Sequence, residues 1–347
     1  MDQLALYRKY RPATFAEVVG QNQVVAVLEG ALKHGRIVHA YLFAGPRGTG
    51  KTSVARILAR ELGTNVPDLY EIDAASNRGI DEIRELREAV RTLPFESKYK
   101  VYIVDEVHML TREAFNALLK TLEEPPDHVI FILATTEVHK LPETIVSRCQ
   151  TLVFRQPPPE ALMEVLKRVA KAEAWKVEEE AVVLLALLAD GSFRDALGVL
   201  QQVMSATRGK VIGLAAVEQV TGAPRHRLVE LFLAAAAAGN LEQLLGAVRQ
   251  AVVANQDLKI WLKLILRQLR LALLLKFAPA LGRELTAGLP PAELKFLAEL
   301  PLTPAAGKLV TLLRELLLVY DELGRVTLPE LPLELAMIKL YGQESES

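Results

Sequence analysis

The stretch Gly45-Pro46-Arg47-Gly48-Thr49-Gly50-Lys51-Thr52 constrains this chain more than any other. It matches the phosphate-loop pattern G-x-x-x-x-G-K followed by Ser or Thr at every fixed position. Ahead of it, Ala40-Tyr41-Leu42-Phe43-Ala44 reads as a buried strand. Behind it, Val54, Ile57, Leu58 and Leu62 share one helical face, and Gly63 supplies the stop. Strand, glycine loop and helix are the context this motif needs. The glycines let the backbone curl so that N–H groups face a phosphate, and the helix N-terminus adds partial positive charge. Lys51 can reach the β- and γ-phosphates, and the Thr52 hydroxyl can hold Mg²⁺.

A second element fits the first. The apolar run Val101-Tyr102-Ile103-Val104 ends in Asp105-Glu106. An acid pair at the carboxyl end of a buried strand is what a Walker B element requires. Asp105 would hold Mg²⁺ through water, and Glu106 would polarise an attacking water. Without the upstream loop the same pair reads equally well as a helix cap. Further strands are expected at Leu69–Ile72, at Val129–Leu133 closing on Ala134-Thr135-Thr136, and at Leu152–Phe154. Helices are expected over 22–33, 80–92 and Thr111–Glu123, the last stopped by Pro125-Pro126. This alternation predicts a mostly parallel α/β sheet. Thr135 and Thr136 then fall at the carboxyl edge, where ligands bind in such sheets, unless they form a plain turn.

Gln156-Pro157-Pro158-Pro159 reads as a linker, and from Glu160 onward the pattern is helical throughout. Residues 160–220 form a small bundle containing Asp190–Leu197. Thr221–Pro224 marks a second boundary. Leu- and Ala-rich helices fill 225–340, with turns at Gly239-Asn240, Gly288–Pro291 and Pro304. The most apolar run, Ile260–Phe277, is interrupted by Lys263, Arg267, Arg270 and Lys276, so a core helix is expected rather than a membrane span. The net charge of −1 neither implies nor excludes a nucleic-acid partner. One cysteine, Cys149, excludes an internal disulfide and a cysteine-based zinc site, and is read as a small buried apolar residue. The N-terminus lacks a signal-peptide pattern, which points to the cytoplasm. Its basic-aromatic cluster Tyr7–Arg11 is either a solvated arm or a segment lying over a nucleotide base.

Taken in order, these motifs resemble one family closely. They are Tyr7–Pro12, Val18–Gln21, the loop 45–52, Glu71–Ser76, Asp105–Leu110, Phe115–Pro126, Ala134–Glu137, Ser147-Arg148-Cys149 and Gly191–Leu197. The chain resembles the tau/gamma ATPase subunits of bacterial DNA polymerase III clamp loaders, of the AAA+ class. The resemblance implies an AAA+ P-loop ATPase domain with a parallel sheet over 1–156. A helical lid over 157–221 and an all-α collar for oligomerisation over 222–347 follow it. It implies that Tyr10, Arg11, Pro12 and Val19 join the loop residues in binding ATP. Thr136, or else Thr135, resembles sensor 1, which positions the attacked phosphate. Arg194 resembles sensor 2, a lid arginine on the γ-phosphate. Arg148 resembles the arginine finger, which acts on ATP held by a neighbour. By composition alone, Arg148 and Arg194 read as surface salt-bridge arginines.

The implied partners are delta- and delta-prime-type subunits in a pentameric ring, a sliding clamp and primed template DNA. A loader must act at any primer end, so contact with DNA is expected through phosphates. Helix starts at Asn77-Arg78 and Thr111-Arg112 offer N–H groups beside an arginine, though both arginines read equally as surface charges. One departure stands out. Bacterial members usually carry a four-cysteine zinc module after the phosphate-loop helix, and here Gly63–Leu69 is a short link without cysteine. No zinc is expected. That compactness also resembles the small subunits of replication factor C. Two further readings are a stator subunit that lends Arg148 without hydrolysing ATP, and a branch-migration helicase motor. The intact Gly50-Lys51-Thr52 and Asp105-Glu106 argue against the first. The Ser147-Arg148-Cys149 motif and the all-helical collar argue against the second.

Overall fold

The computed structural model describes residues 4–76, 86, 88–223, 226–286, 289, 291–303, 305–323 and 326–342. The chain parts into two compact units, one formed by 1–172 with 189–201 and the other by 173–188 with 202–347.

In the first unit five strands form one parallel sheet: β1 (Ala40–Ala44), β2 (Leu69–Asp73), β3 (Lys100–Asp105), β4 (Val129–Thr135) and β5 (Gln150–Val153), in the order β2-β3-β4-β1-β5. Successive side chains of a strand face opposite sides, so each apolar run feeds two cores at once. On one face Ala40, Leu42, Tyr102, Val104, Phe131 and Leu133 pack with Phe115, Leu118 and Leu122 of the helix Arg112–Glu123. On the other, Tyr41, Phe43, Val101, Ile103, Ile130 and Ile132 pack with Val54, Ile57 and Leu58 of the phosphate-loop helix Lys51–Glu61. Val24 and Leu28 of the helix Asn22–Lys33 complete that second face. The helices covering the sheet explain why its central strands read as continuous hydrophobic runs.

The register brings the functional strand ends together. Ala44 pairs with Thr135 across β1 and β4, Val104 with Leu133 across β3 and β4, and Asp73 with Asp105 across β2 and β3. The loop after β1, the acid pair after β3 and the threonines after β4 therefore share one carboxyl edge. The helix Pro159–Ala172 and residues 193–201 of the helix Phe193–Ala206 also belong to this unit. The helical pattern expected over 80–92 is seen at Leu86 and 88–90, and its other residues to 87, Ile83 among them, lie outside the described residues.

Among its described residues the second unit has helices and one strand pairing. Its core centres on the helix Leu258–Phe277, whose Trp261, Leu262, Ile265, Leu269 and Ala272 are fully buried. Asp257 caps that helix, accepting from the N–H groups of Lys259 (2.9 Å) and Ile260 (3.1 Å). Phe232 meets Trp261 edge-on at 5.3 Å. Lys276 reaches the Pro301 carbonyl at 2.9 Å, so a cation that interrupts the apolar run in sequence is spent on the fold. Among the described residues no helix is long and apolar enough to cross a membrane. The expectation of helix throughout after Glu160 needs one correction. Lys176–Val177 and Val211–Ile212 form a two-stranded parallel pair, too short for any periodicity to show in the sequence. Of the expected turns, Pro224, Gly288, Pro290 and Pro304 lie outside the described residues, while Gly239-Asn240 forms as expected and Asn240 caps the helix Leu241–Val253.

Candidate active site

The phosphate loop is pinned at its start from both sides, by the strands that flank β1. The Gly45 N–H donates to the Thr135 carbonyl at 3.1 Å, and the Phe154 N–H to that of Ala44 at 2.7 Å. Gln21, almost fully buried, ties the loop to the chain after β5. Its amide nitrogen donates to the Arg155 carbonyl at 2.7 Å and to Thr49 at 3.4 Å, and its oxygen accepts from the Arg155 N–H at 3.1 Å. Two glycines are dictated by geometry. Gly50, at φ 102, caps the helix from a left-handed conformation. Gly48, at φ 73, lies so close to Ser192 that a Cβ would collide with its hydroxyl. The Gly48 carbonyl also accepts from the Phe193 N–H at 3.0 Å. Arg194 comes next in the chain, so the phosphate loop itself sets its place.

Lys51 is nearly buried, and its ammonium donates to the carbonyls of Gly45 (2.8 Å) and Pro46 (2.9 Å). Burial lowers its pKa, and Glu106 and Asp105 oppose that shift. The Thr52 hydroxyl donates to Asp105 Oδ2 at 2.6 Å. Two hard oxygen donors thus stand side by side at the helix start, a donor set that fits Mg²⁺. The helix Lys51–Glu61 has no side-chain cap, and its first N–H groups have no intrahelical acceptor. Loop amides, lysine and paired oxygens together fit a nucleotide triphosphate with its cation.

These residues line one cleft. Arg47, Gly48, Thr49, Gly50, Lys51, Thr52, Asp105 and Glu106 form its floor, and Tyr10, Arg11, Pro12, Val18 and Val19 its wall. Arg194 and Arg168 face it as well. Five cations surround the cleft against three acids, Glu17, Asp105 and Glu106, a balance suited to an anion. Burial lowers the Arg11 pKa, with the Arg56 charge acting in the same direction. The Arg194 guanidinium stacks over the Tyr7 ring at 5.0 Å.

Glu106 takes a left-handed backbone, φ 49, and its Oε2 accepts from the Thr136 hydroxyl at 3.2 Å. Thr136 and not Thr135 therefore touches the acid. Thr135 is fully buried, and its Oγ1 lies 3.0 Å from His108 Nδ1. Among the described residues that line the cleft, neither Arg148 nor Arg112 appears. Arg148 pairs with Glu123 at 2.7 Å and donates to the Thr144 carbonyl at 2.9 Å. Arg112 is exposed at the start of its helix, where the Thr111 hydroxyl already accepts from the Ala114 N–H at 3.2 Å. Asn77 and Arg78 lie outside the described residues. Cys149 is half-buried, and burial pushes its thiol up to about 11.

Among the residues at the site without a role in the sequence analysis are Gln21, His108, Arg168 and Ser192. Gln21, His108 and Ser192 fall inside quoted motifs, so their place in the chain was visible while their partners were not. Arg168 sits on an otherwise ordinary helix face and carries no sequence signal.

Comparison with known proteins bears on the family and the fold. Residues 20–68 and 62–158 match the family model described as "DNA polymerase III, delta subunit". Residues 161–209 match the one described as "DNA polymerase III clamp loader subunit, ATPase lid domain". The DNA polymerase III subunit tau of Bacillus subtilis is 47% identical over 64% of this chain and 43% of its own length. The gamma/tau subunit of Mycobacterium tuberculosis H37Rv is 41% identical over 80% of this chain and 52% of its own. The tau subunit of Escherichia coli K12 is 37% identical over 91% and 56%. The chain thus spans about half the length of the curated relatives it matches. Among solved structures, the Thermotoga maritima RuvB Holliday junction branch migration motor superposes with a TM-score of 0.53 and 22% identity. That match covers 72% of this chain and 86% of that one. At this identity the likeness concerns the fold.

Proposed function

The chain belongs to the tau/gamma clamp-loader subunit family of DNA polymerase III, and on that premise we propose that it is a motor subunit that binds and hydrolyses ATP to open a sliding clamp and load it onto primed DNA. The observation that carries this reading is the convergence of the phosphate loop with the acid pair, measured by the contact of 2.6 Å between Thr52 and Asp105. A stator subunit would need the fold without the chemistry. Here Lys51, Thr52, Asp105, Glu106 and Thr136 all stand within one connected site, which favours hydrolysis.

In this reading Lys51 exchanges its loop carbonyls for β- and γ-phosphate oxygens, and the loop amides hold the rest of the triphosphate. Tyr10, Arg11, Pro12 and Val19 enclose the base and sugar side. Thr52 and Asp105 would hold Mg²⁺, which when bound neutralises charge on the phosphates. Glu106, oriented by Thr136, takes a proton from water as its oxygen bonds to the γ-phosphorus and the bond to the β-phosphate oxygen breaks. Arg194 balances charge from the lid side. Arg148, turned to Glu123 and away from its own cleft, serves ATP on an adjacent subunit, so hydrolysis depends on ring assembly. The working division is an ATPase domain over 1–156, a lid over 157–221 and a collar over 222–347. The partners are delta- and delta-prime-type subunits in a pentamer, the clamp and primed template DNA, in the cytoplasm.

The test is ATP turnover in the reconstituted complex with and without clamp and primed template. Turnover should rise with both present. Glu106→Gln should keep ATP binding and lower hydrolysis by about two to four orders of magnitude, the scale of a lost general base. Unstimulated turnover, or a near-normal rate in that variant, would remove the motor role.

A further inference from the structure

His108 is almost buried and bridges the turn after β3 to the end of β4. Its Nδ1 lies 3.0 Å from Thr135 Oγ1, and its Nε2 lies 3.2 Å from Glu137 Oε2. The Glu137 N–H donates to the same Thr135 oxygen at 3.0 Å. These three contacts close a ring, and the ring fixes the imidazole tautomer. The Thr135 oxygen already accepts from Glu137, and its hydroxyl proton needs an acceptor because the group is fully buried. The acceptor facing it is Nδ1, so Nδ1 carries no hydrogen. Nε2 then carries the N–H and faces the Glu137 carboxylate, with Oε2 at 3.2 Å.

The ring sits directly behind the acid. Glu106 Oε2, which accepts from Thr136, lies 3.6 Å from His108 Nδ1, too long for a hydrogen bond. A bare Nδ1 has no proton to give it. His108 therefore does not share in proton transfer with Glu106. What it does is hold Thr135 and Glu137, the two neighbours of Thr136 in the chain, against the Glu106–Met109 turn. Glu106 itself is in a left-handed conformation that non-glycine residues resist, so the turn relies on surrounding contacts to persist.

We propose that the His108–Glu137–Thr135 ring is a positioning device for hydrolysis: it clamps the end of β4 to the turn after β3 so that Thr136 keeps Glu106 aimed at the attacking water. The inference rests on the reading of Glu106 as the base. Glu137 enters it through its backbone N–H on Thr135 and through the approach of its carboxylate to Nε2, and the same carboxylate binds Lys140 at 2.8 Å.

The test uses the reconstituted complex with clamp and primed template, measuring kcat and KM for ATP, with ATP affinity of each isolated variant alongside. His108→Ala should lower kcat by about 10- to 100-fold, the scale of a reacting group displaced by about an ångström, with KM and ATP affinity held. Glu137→Ala should fall similarly. Glu137→Gln keeps the backbone N–H on Thr135 and a side-chain oxygen of the same shape beside Nε2, and should stay within about threefold of the parent protein. Thr136→Val should lower kcat, and His108→Ala added to it should cost little more, because the two act through one contact. Additive losses in that double variant would overturn the proposal, as would a Glu137→Gln rate as low as that of Glu137→Ala. If Glu106→Gln turns over normally, the reading of the base has failed. If it does not and His108→Ala is normal, the positioning inference alone has failed.

Discussion

Asp68 offers the sharpest quantitative test of how the first unit is held. Its carboxylate is fully buried and accepts from three successive N–H groups, those of Phe95 (2.6 Å), Glu96 (2.9 Å) and Ser97 (2.8 Å). Burial alone would push the carboxyl upward, and the three N–H donors outweigh it, holding the pKa at about 2. The segment they secure leads into β3, the strand that ends in Asp105. Its own apolar residues do not hold it, since Leu93 and Phe95 are 76% and 81% exposed. With an unfolded carboxyl near the ordinary value of about 3.9, the depression is worth roughly 2–3 kcal/mol at neutral pH. Because the folded pKa is the lower one, this stability is complete above the unfolded pKa and is lost as pH falls through the folded value. Asp68→Asn should therefore cost about 2–3 kcal/mol at pH 7, which for a unit of this size lowers the midpoint by about 5–10 °C. The gap between the two proteins should shrink to about half by pH 3, because the unfolded carboxyl takes up its proton there while the folded one stays largely ionised. Scanning calorimetry at pH 7 and pH 3 reads both quantities. A gap that stays constant across that range would show that the charge on Asp68 contributes nothing, and the account of the staple would be wrong.

Three predictions bear on the proposed chemistry. Lys51→Ala should leave thermal unfolding nearly unchanged while abolishing tight ATP binding, because amides alone cannot balance the triphosphate charge; normal affinity by equilibrium titration would exclude Lys51 as a phosphate ligand. Arg148→Ala should bind ATP normally as an isolated chain and lose about three or more orders of magnitude of stimulated hydrolysis in the ring; loss of binding in isolation would place its action on its own nucleotide. Arg112→Ala should weaken DNA binding by the assembled complex and reduce the salt slope by about one, and an unchanged slope would make it a plain surface charge.

Most of the fold was legible because its signals are local. The three central strands declared themselves by apolar runs of the right length, and Lys51 and Thr52 by fixed spacing from Gly45. Asp105 and Glu106 were legible by position at a strand end. The ring around His108 was not, because its partners lie 27 or more residues away and no periodicity links them. The same holds for Gln21, whose partner Arg155 is 134 residues distant, and for Ser192 against Gly48. Such contacts depend on which strands become neighbours, and sequence pattern supplies strands without their order. The different surroundings of Thr135 and Thr136 also needed the structure. Adjacent residues at a strand end point opposite ways, one into the protein and one toward Glu106. The two short strands at Lys176 and Val211 were missed for a different reason, since two residues cannot display a period.

The order of the sheet has a consequence for the birth of the protein on the ribosome. β1 lies between β4 and β5, yet β2 and β3 leave the exit tunnel before either. Some 85 residues separate the end of β1 from the start of β4, about 4–17 s of synthesis at 5–20 residues per second. During that interval Ala40–Ala44, five apolar residues with both edges unpaired, has no partner strand from the sheet. Neither can the glycine loop take its final shape, because the Thr135 carbonyl that anchors Gly45 has yet to be made. The nucleotide cleft, first among the motifs along the chain, is thus among the last parts of its unit to be completed, and nascent chains stalled before residue 135 should be clients for chaperones rather than binders of ATP.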